Sequence, residues 1–153
     1  TKSLYYISVV TKAYRQVLDN LGNQKKLTLA KKELDKIDNR GYTTGFLIGK
    51  ESALDKQEFR TSKTQSNWQF VGQIVGKNQQ GFIVFKPHNS LNINDNLELL
   101  TPTECCKIKI KEFFDEHGKR LKIVHGGTDK LYYFYLSNQK ITLDYGLLRK
   151  KIL

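Results

Sequence analysis

Near residue 40 the spacing of apolar residues changes, and that change limits the chain to a helical lead-in followed by a β-rich body. Before it, in SLYYISVVTKAYRQVLDNLGN, Leu4, Ile7, Val10, Tyr14, Val17, Leu18 and Leu21 recur three and four residues apart, one stripe of a helix. Ser3 can cap the start, and Gly22 can end the helix in the left-handed conformation. A second, shorter helix is expected from Leu29 to about Asp38, with Thr28 as N-cap and Leu29, Leu34 and Ile37 as its apolar positions. A Lys-rich link containing Lys25 and Lys26 joins the two.

From Tyr42 onward the pattern is one of short strands. They are expected at Thr43–Ile48, Trp68–Lys77, Gly81–Lys86, Leu97–Leu100, Cys106–Phe114, Leu121–Val124, Lys130–Leu136 and near Leu147. Turn signals at Asn78 to Gly81, Asn94 to Asn96, Asp115 to Gly118 and Gly126–Gly127 separate them. Many short strands at close spacing predict a small antiparallel β-barrel, closed or nearly closed. The fold class is therefore α+β, mainly β. A helical linker region is expected over 1–40 and a small β-barrel domain over 41–153.

The junction itself reads NRGYTTGFLIGK, with Gly41, Gly45 and Gly49 four residues apart. It is not a Walker phosphate loop. The second and third glycines are one residue too close, Glu51 stands where Ser or Thr would hold magnesium, and the helix precedes the stretch instead of following it. A dinucleotide fingerprint does not fit either. The glycines are read as structural: Gly41 stops the helix, and Gly45 and Gly49 flank a bending strand.

Lys and Arg total 26 against 15 Asp and Glu, a formal charge of +11, which attracts polyanions. In KIKIK, Lys107, Lys109 and Lys111 share one strand face and Ile108 and Ile110 the other. The isoleucines are expected in the core and the lysines in solvent. The lysine row is either a polyanion-binding face or an outer face charged against edge pairing. In LYYFYL, Leu131, Tyr133 and Tyr135 share one side, and Tyr132, Phe134 and Leu136 the other. One side should fill the barrel, and the other packs or stacks bases. Trp68 and Phe70 likewise share a face and are expected in the core.

No catalytic residue stands out. His88, His117 and His125 lack zinc spacing, and no nucleophile has an adjacent base. Neighbours Cys105 and Cys106 point to opposite faces of a strand, so they form neither a metal pair nor a structural disulfide, and a reducing, cytoplasmic setting is expected. No run of 18 apolar residues exists to span a membrane.

The string NRGYTTGFLIG resembles the signature in the C-terminal region of the collagenase-like peptidases, peptidase family U32. Arg40, Gly41, Tyr42, Thr43, Thr44 and Gly45 are its signature positions here. Tyr6 through Asp19 is similar to that family's Tyr-Val-x-x-Val-Val-x-x-Tyr-Arg-x-x-x-Asp helix. WQFVGQIVG, PHNSLNINDNLELLTP and LLRK resemble further segments, so the likeness covers nearly the whole chain. Asn94 departs from the family's Gly before Asp95, and Leu91 from its Phe. The resemblance implies that this chain is the C-terminal part of a longer, processed or cut protein. Its partner would then be its own N-terminal catalytic region, where some members carry an iron–sulfur cluster, and this chain would hold no cofactor. Two roles follow. One is an accessory domain that presents protein substrate to a peptidase or docks against it. The alternative is an RNA-binding accessory domain of a tRNA or rRNA hydroxylation factor.

Overall fold

The computed structural model describes residues 3–39, 66–136 and 142–152. The signature positions Arg40 to Gly45 and the strand expected at Thr43–Ile48 lie outside the described residues. The chain divides into two compact units, Thr1–Asn67 and Trp68–Leu153.

In the first unit α1 (Leu4–Leu18) starts as its sequence requires. The Ser3 hydroxyl accepts a hydrogen bond from the Tyr6 amide at 3.2 Å, satisfying one of the amides that a helix start leaves free. Gly22 sits at φ +82° in the turn that leads out of the helix. The buried face of α1 is Tyr5, Val9 and Ala13, not the apolar stripe of Leu4, Ile7, Tyr14 and Leu18. The partner helix α2 (Gln24–Leu34) begins four residues before the position of the expected cap. Asn23, not Thr28, caps it, its side chain accepting from the Lys26 amide at 3.2 Å. Thr28 lies inside the helix and donates its hydroxyl to the Gln24 carbonyl. The correction has a local cause. Asn and Thr are both competent caps, and the one directly after the Gly22 turn is used. Ala13 and Ala30 are both buried, and Ile37, just beyond α2, is buried as well. The Tyr5 hydroxyl donates to the Lys36 carbonyl at 3.0 Å and fixes that segment to the start of α1.

The second unit is built on an antiparallel sheet. Its strands are β1 (Trp68–Lys77), β2 (Ile83–Pro87), β4 (Leu97–Leu100), β5 (Cys105–Ile108), β6 (Phe113–Phe114), β7 (Arg120–Leu121), β9 (Tyr132–Phe134) and β10 (Leu147–Lys151). Their order is β5-β4-β10-β1-β2-β9-β6-β7, and a separate ribbon pairs β3 (Leu91–Asn92) with β8 (Ile123–Val124). Among the described residues no pairing joins β5 to β7, so the sheet is antiparallel and strongly β as expected, while closure into a barrel is not among its pairings. The long strand expected over Cys106–Phe114 is two strands, separated at Lys109 to Glu112. The one expected over Leu121–Val124 is also split, its halves joining different ladders.

The core of this unit comprises Val71, Ile74, Ile83, Phe85, Leu91, Leu97, Leu99, Ile110, Phe113, Val124, Phe134, Leu136 and Leu148. Phe134 packs edge-to-face on both Phe85 and Phe113, with ring centroids 6.0 Å apart in each pair. From LYYFYL, Phe134 and Leu136 enter this core with Tyr132 packed against it, while Leu131 and Tyr135 are exposed. Gly126 is required by close approach: a Cβ there would stand 2.1 Å from the His88 carbonyl carbon.

Candidate nucleic-acid interface

The alternation read in KIKIK is what the structure shows. Among the described residues strand β5 ends the sheet order and pairs only with β4, in the register Leu97↔Ile108, Glu98↔Lys107, Leu99↔Cys106 and Leu100↔Cys105. Ile110 is buried in the core and Ile108 packs against it. Lys107, Lys109 and Lys111 are exposed, and the alternation holds through Lys111 although the ladder ends at Ile108. Among the described residues none of the three takes part in an ion pair. Other cations of the sheet do: Lys86 with Asp129 at 2.8 Å, Lys150 with Asp95 at 3.1 Å and Arg120 with Glu112 at 3.3 Å.

One acidic side chain does lie across the ladder from Lys107, and its charge is already engaged. Phe70, Arg149, Glu98 and Lys107 form one cross-strand row over β1, β10, β4 and β5. The Arg149 guanidinium is fully buried and donates twice to Glu98 Oε2, from Nε at 3.0 Å and from Nη2 at 2.7 Å. It also stacks over Trp68, its Cζ 5.2 Å from the ring centroid. A charge of this kind is tolerated in a buried position only when paired and hydrogen-bonded. Trp68 and Phe70, expected in the core, are half-buried and outside it; Trp68 serves Arg149, and Phe70 packs at 5.0 Å on the exposed His88 ring. The bulge between Phe70 and Gly72 is the reason, since it shifts the face on which the rest of β1 packs. The Arg149 network was not foreseen. The sequence signal for it is weak: an Arg directly after the apolar pair Leu147 and Leu148, in a strand whose first three residues are all buried.

The two cysteines do point to opposite faces. Cys106 packs against the core, and Cys105 is exposed with its Sγ 3.3 Å from Arg149 Nη2. An iron–sulfur cluster takes four thiolates, and two thiols on opposite sides of a strand do not fit one. His88, His117 and His125 are exposed. His117 lies in the β6–β7 turn, 3.6 Å from Glu116. In that turn Asp115 Oδ1 accepts from the Lys119 amide at 2.9 Å and the His117 amide at 3.0 Å. The Lys119 amide foremost, and then the His117 amide, hold the Asp115 carboxyl below its ordinary value against an opposing effect of burial. Lys86 does the same for Asp129 through its side-chain hydrogen bond. No helix among the described residues is long and apolar enough to cross a membrane.

Comparison with known proteins adds the following. Residues 66–149 match the model of the peptidase family U32 C-terminal domain, and residues 1–57 match that of peptidase family U32. The chain is 29% identical over 155 residues to tRNA hydroxylation protein P of Haemophilus influenzae, covering 99% of this chain and 33% of that protein. It is 28% identical over 152 residues to the Escherichia coli protein of the same name, covering 98% and 33%. It is 26% identical over 126 residues to tRNA hydroxylation protein P1 of Bacillus subtilis, covering 78% and 30%. The chain thus spans about a third of the length of the curated relatives it matches. Among solved structures, the C-terminal domain of a Geobacillus thermoleovorans U32 peptidase aligns with a TM-score of 0.45 at 21% identity, over 54% of this chain and 91% of that one.

Proposed function

The chain belongs to peptidase family U32, and on that premise we propose that it is a non-catalytic RNA-holding domain of a tRNA-modifying protein. The observation that carries this reading is the row of Lys107, Lys109 and Lys111, exposed at the end of the sheet and without ion-pair partners among the described residues. The names of the relatives and the charge of +11 support it. Such a row tracks a phosphate backbone by charge and spacing and reads no base sequence. The domain holds the RNA, and the chemistry belongs to the protein of which such a domain is part. The family's name suggests instead that the domain presents a polypeptide to a peptidase region, and that reading makes no use of an exposed cationic row.

A gel-shift titration with tRNA at two salt concentrations tests the proposal. Binding should weaken as salt rises, because each neutralised phosphate releases counterions. Replacing Lys107, Lys109 and Lys111 together with Glu should flatten the log–log salt slope by roughly one unit per lost contact. The same triple change at the exposed Lys25, Lys26 and Lys31 alters net charge equally and should weaken binding less. No binding at low salt, or an equal effect from both triple variants, overturns the reading. Binding of an unfolded polypeptide in place of tRNA would favour substrate presentation.

A further inference from the structure

The apolar stripe of α1 read from the sequence lies off the helix's buried face. Leu4, Ile7, Tyr14 and Leu18 are 52%, 53%, 63% and 58% exposed, whereas Tyr5, Val9 and Ala13 are buried. At about 100° per residue the two sets lie on opposite sides of the helix. With the exposed Thr11 the outer set runs Leu4, Ile7, Thr11, Tyr14, Leu18, spaced three, four, three and four. That is the seam by which one helix packs along another, and it extends for about 21 Å. A helix apolar on two sides is normally buried between two layers, and an exposed apolar strip of this kind marks an interaction surface.

We propose that the seam Leu4, Ile7, Tyr14 and Leu18 docks a helix from the part of a U32 polypeptide that lies outside these 153 residues. Two observations select this occupant. Residues 1–57 match the model of the family itself and not that of its C-terminal domain, so α1 belongs by sequence to the larger body. The relatives are about three times as long as the stretch they share with this chain, so such a body exists in them. A second copy of the chain suits the seam poorly. The seam covers only two heptads, and the flanking positions that set pairing in a two-stranded coil are Ser8, Val10, Arg15 and Val17, which offer no acid–base pair between copies. The inference rests on family membership and is independent of RNA binding.

Hydroxyl-radical footprinting with mass spectrometry tests it without any substitution. The oxidation rates of Ile7, Tyr14 and Leu18 are measured in the 153-residue chain and in the whole natural polypeptide, each against an added reference peptide. In the longer polypeptide they should fall by about fivefold, the ratio between a half-exposed side chain and a buried one. As a second measurement, Leu18→Asp should lower the unfolding midpoint of the whole polypeptide and leave that of the 153-residue chain unchanged. Equal oxidation rates in both, a natural polypeptide with no residues beyond these, protection that grows with concentration of the short chain, or protection that appears only with added tRNA would each overturn the proposal. The tRNA titration can fail while this protection is seen, and the reverse, so the two readings stand or fall separately.

Discussion

The helical unit and the sheet unit differ in what each buries. The sheet unit encloses a core of large side chains, with Phe85, Phe113 and Phe134 fully buried and packed edge-to-face. The helix pair buries a thin seam of Tyr5, Val9, Ala13, Ala30 and Ile37 and leaves Leu4, Ile7, Tyr14 and Leu18 in solvent. Packing stabilises in proportion to apolar area removed from water, so the sheet unit is expected to hold its structure from within. The helix pair buries Ala13 and Ala30 together with Tyr5, Val9 and Ile37, and leaves a second apolar stripe of α1 uncovered.

The largest effect that separates the two is truncation of an aromatic in the sheet. Phe85→Ala should cost about 4 kcal/mol, because it removes a buried ring and leaves a cavity beside Phe134. Leu18→Ala, in the exposed seam of α1, should change stability by less than about 0.5 kcal/mol. Urea unfolding followed by circular dichroism measures both. A loss at Leu18 approaching that at Phe85 would break the comparison, since it would mean the seam is already covered within this chain.

An intermediate effect comes from the buried charge. Glu98→Ala removes the carboxylate that takes two hydrogen bonds from Arg149, whose guanidinium stays buried against Trp68 and Cys105 Sγ. Losing one partner of such a pair costs about 3 kcal/mol, the lower end of the usual range because those contacts remain. Glu98→Gln keeps an accepting oxygen and should cost clearly less. Equal losses for the two variants would show that the carboxylate charge, not the hydrogen bonds, holds Arg149. A negligible loss for Glu98→Ala would show that the row from Phe70 to Lys107 is not an energetic unit. The comparison sharpens here too, because the sheet unit holds a fully buried guanidinium, whereas of the helical unit's pairs Arg15–Asp19 is exposed on both sides and Lys36–Glu33 only half-buried.

Legibility followed the same division. In the sheet unit, where one face is buried, period-two alternation was decisive. Trp68–Lys77 and Leu97–Leu100 end where the sequence places them, and Ile110 against Lys109 and Lys111 fell on the expected sides. Alternation did not reveal where a continuous-looking strand breaks, so Cys105–Ile108 and Phe113–Phe114 read as one, and the two-residue Leu91–Asn92 went unseen. Periodicity also does not say whether the ends of a sheet meet. In the helical unit it showed that α1 is a helix but not which side is buried. An apolar stripe marks a face that wants a partner, and small residues such as Ala13 mark the face that can approach one closely. Thr28 misled as a cap because Asn23 is equally competent and sits directly after a glycine in the left-handed region. Of the candidate site, the lysine row was legible because it obeys strand alternation. The Arg149–Glu98 pair was not, because the two are 51 residues apart and only the register joins them.

The smallest effect is local to one hairpin, and its sign is fixed. Asp115 accepts from the Lys119 and His117 amides across the turn between β6 and β7, and Gly118 in that turn holds φ +75°. Both donors favour the ionised form, so the folded carboxyl titrates below its unfolded value. A group depressed in this way contributes stability that is fully present above the unfolded pKa and is lost as pH falls through the folded one. A titration of the Asp115 carboxyl carbon by NMR should therefore give a midpoint below the ordinary aspartate range. Over the same pH interval, hydrogen exchange at the Lys119 amide should quicken as the acceptor is protonated. Asp115→Asn retains an accepting oxygen and should abolish that pH response at Lys119 while leaving the turn in place. The amides of α1, which has no acidic residue in its first turn, should show no matching change. An ordinary midpoint for Asp115 would mean that the two amide hydrogen bonds do not persist in solution. A Lys119 response that survives Asp115→Asn would place its origin in another group, with Glu116 beside His117 the next to test.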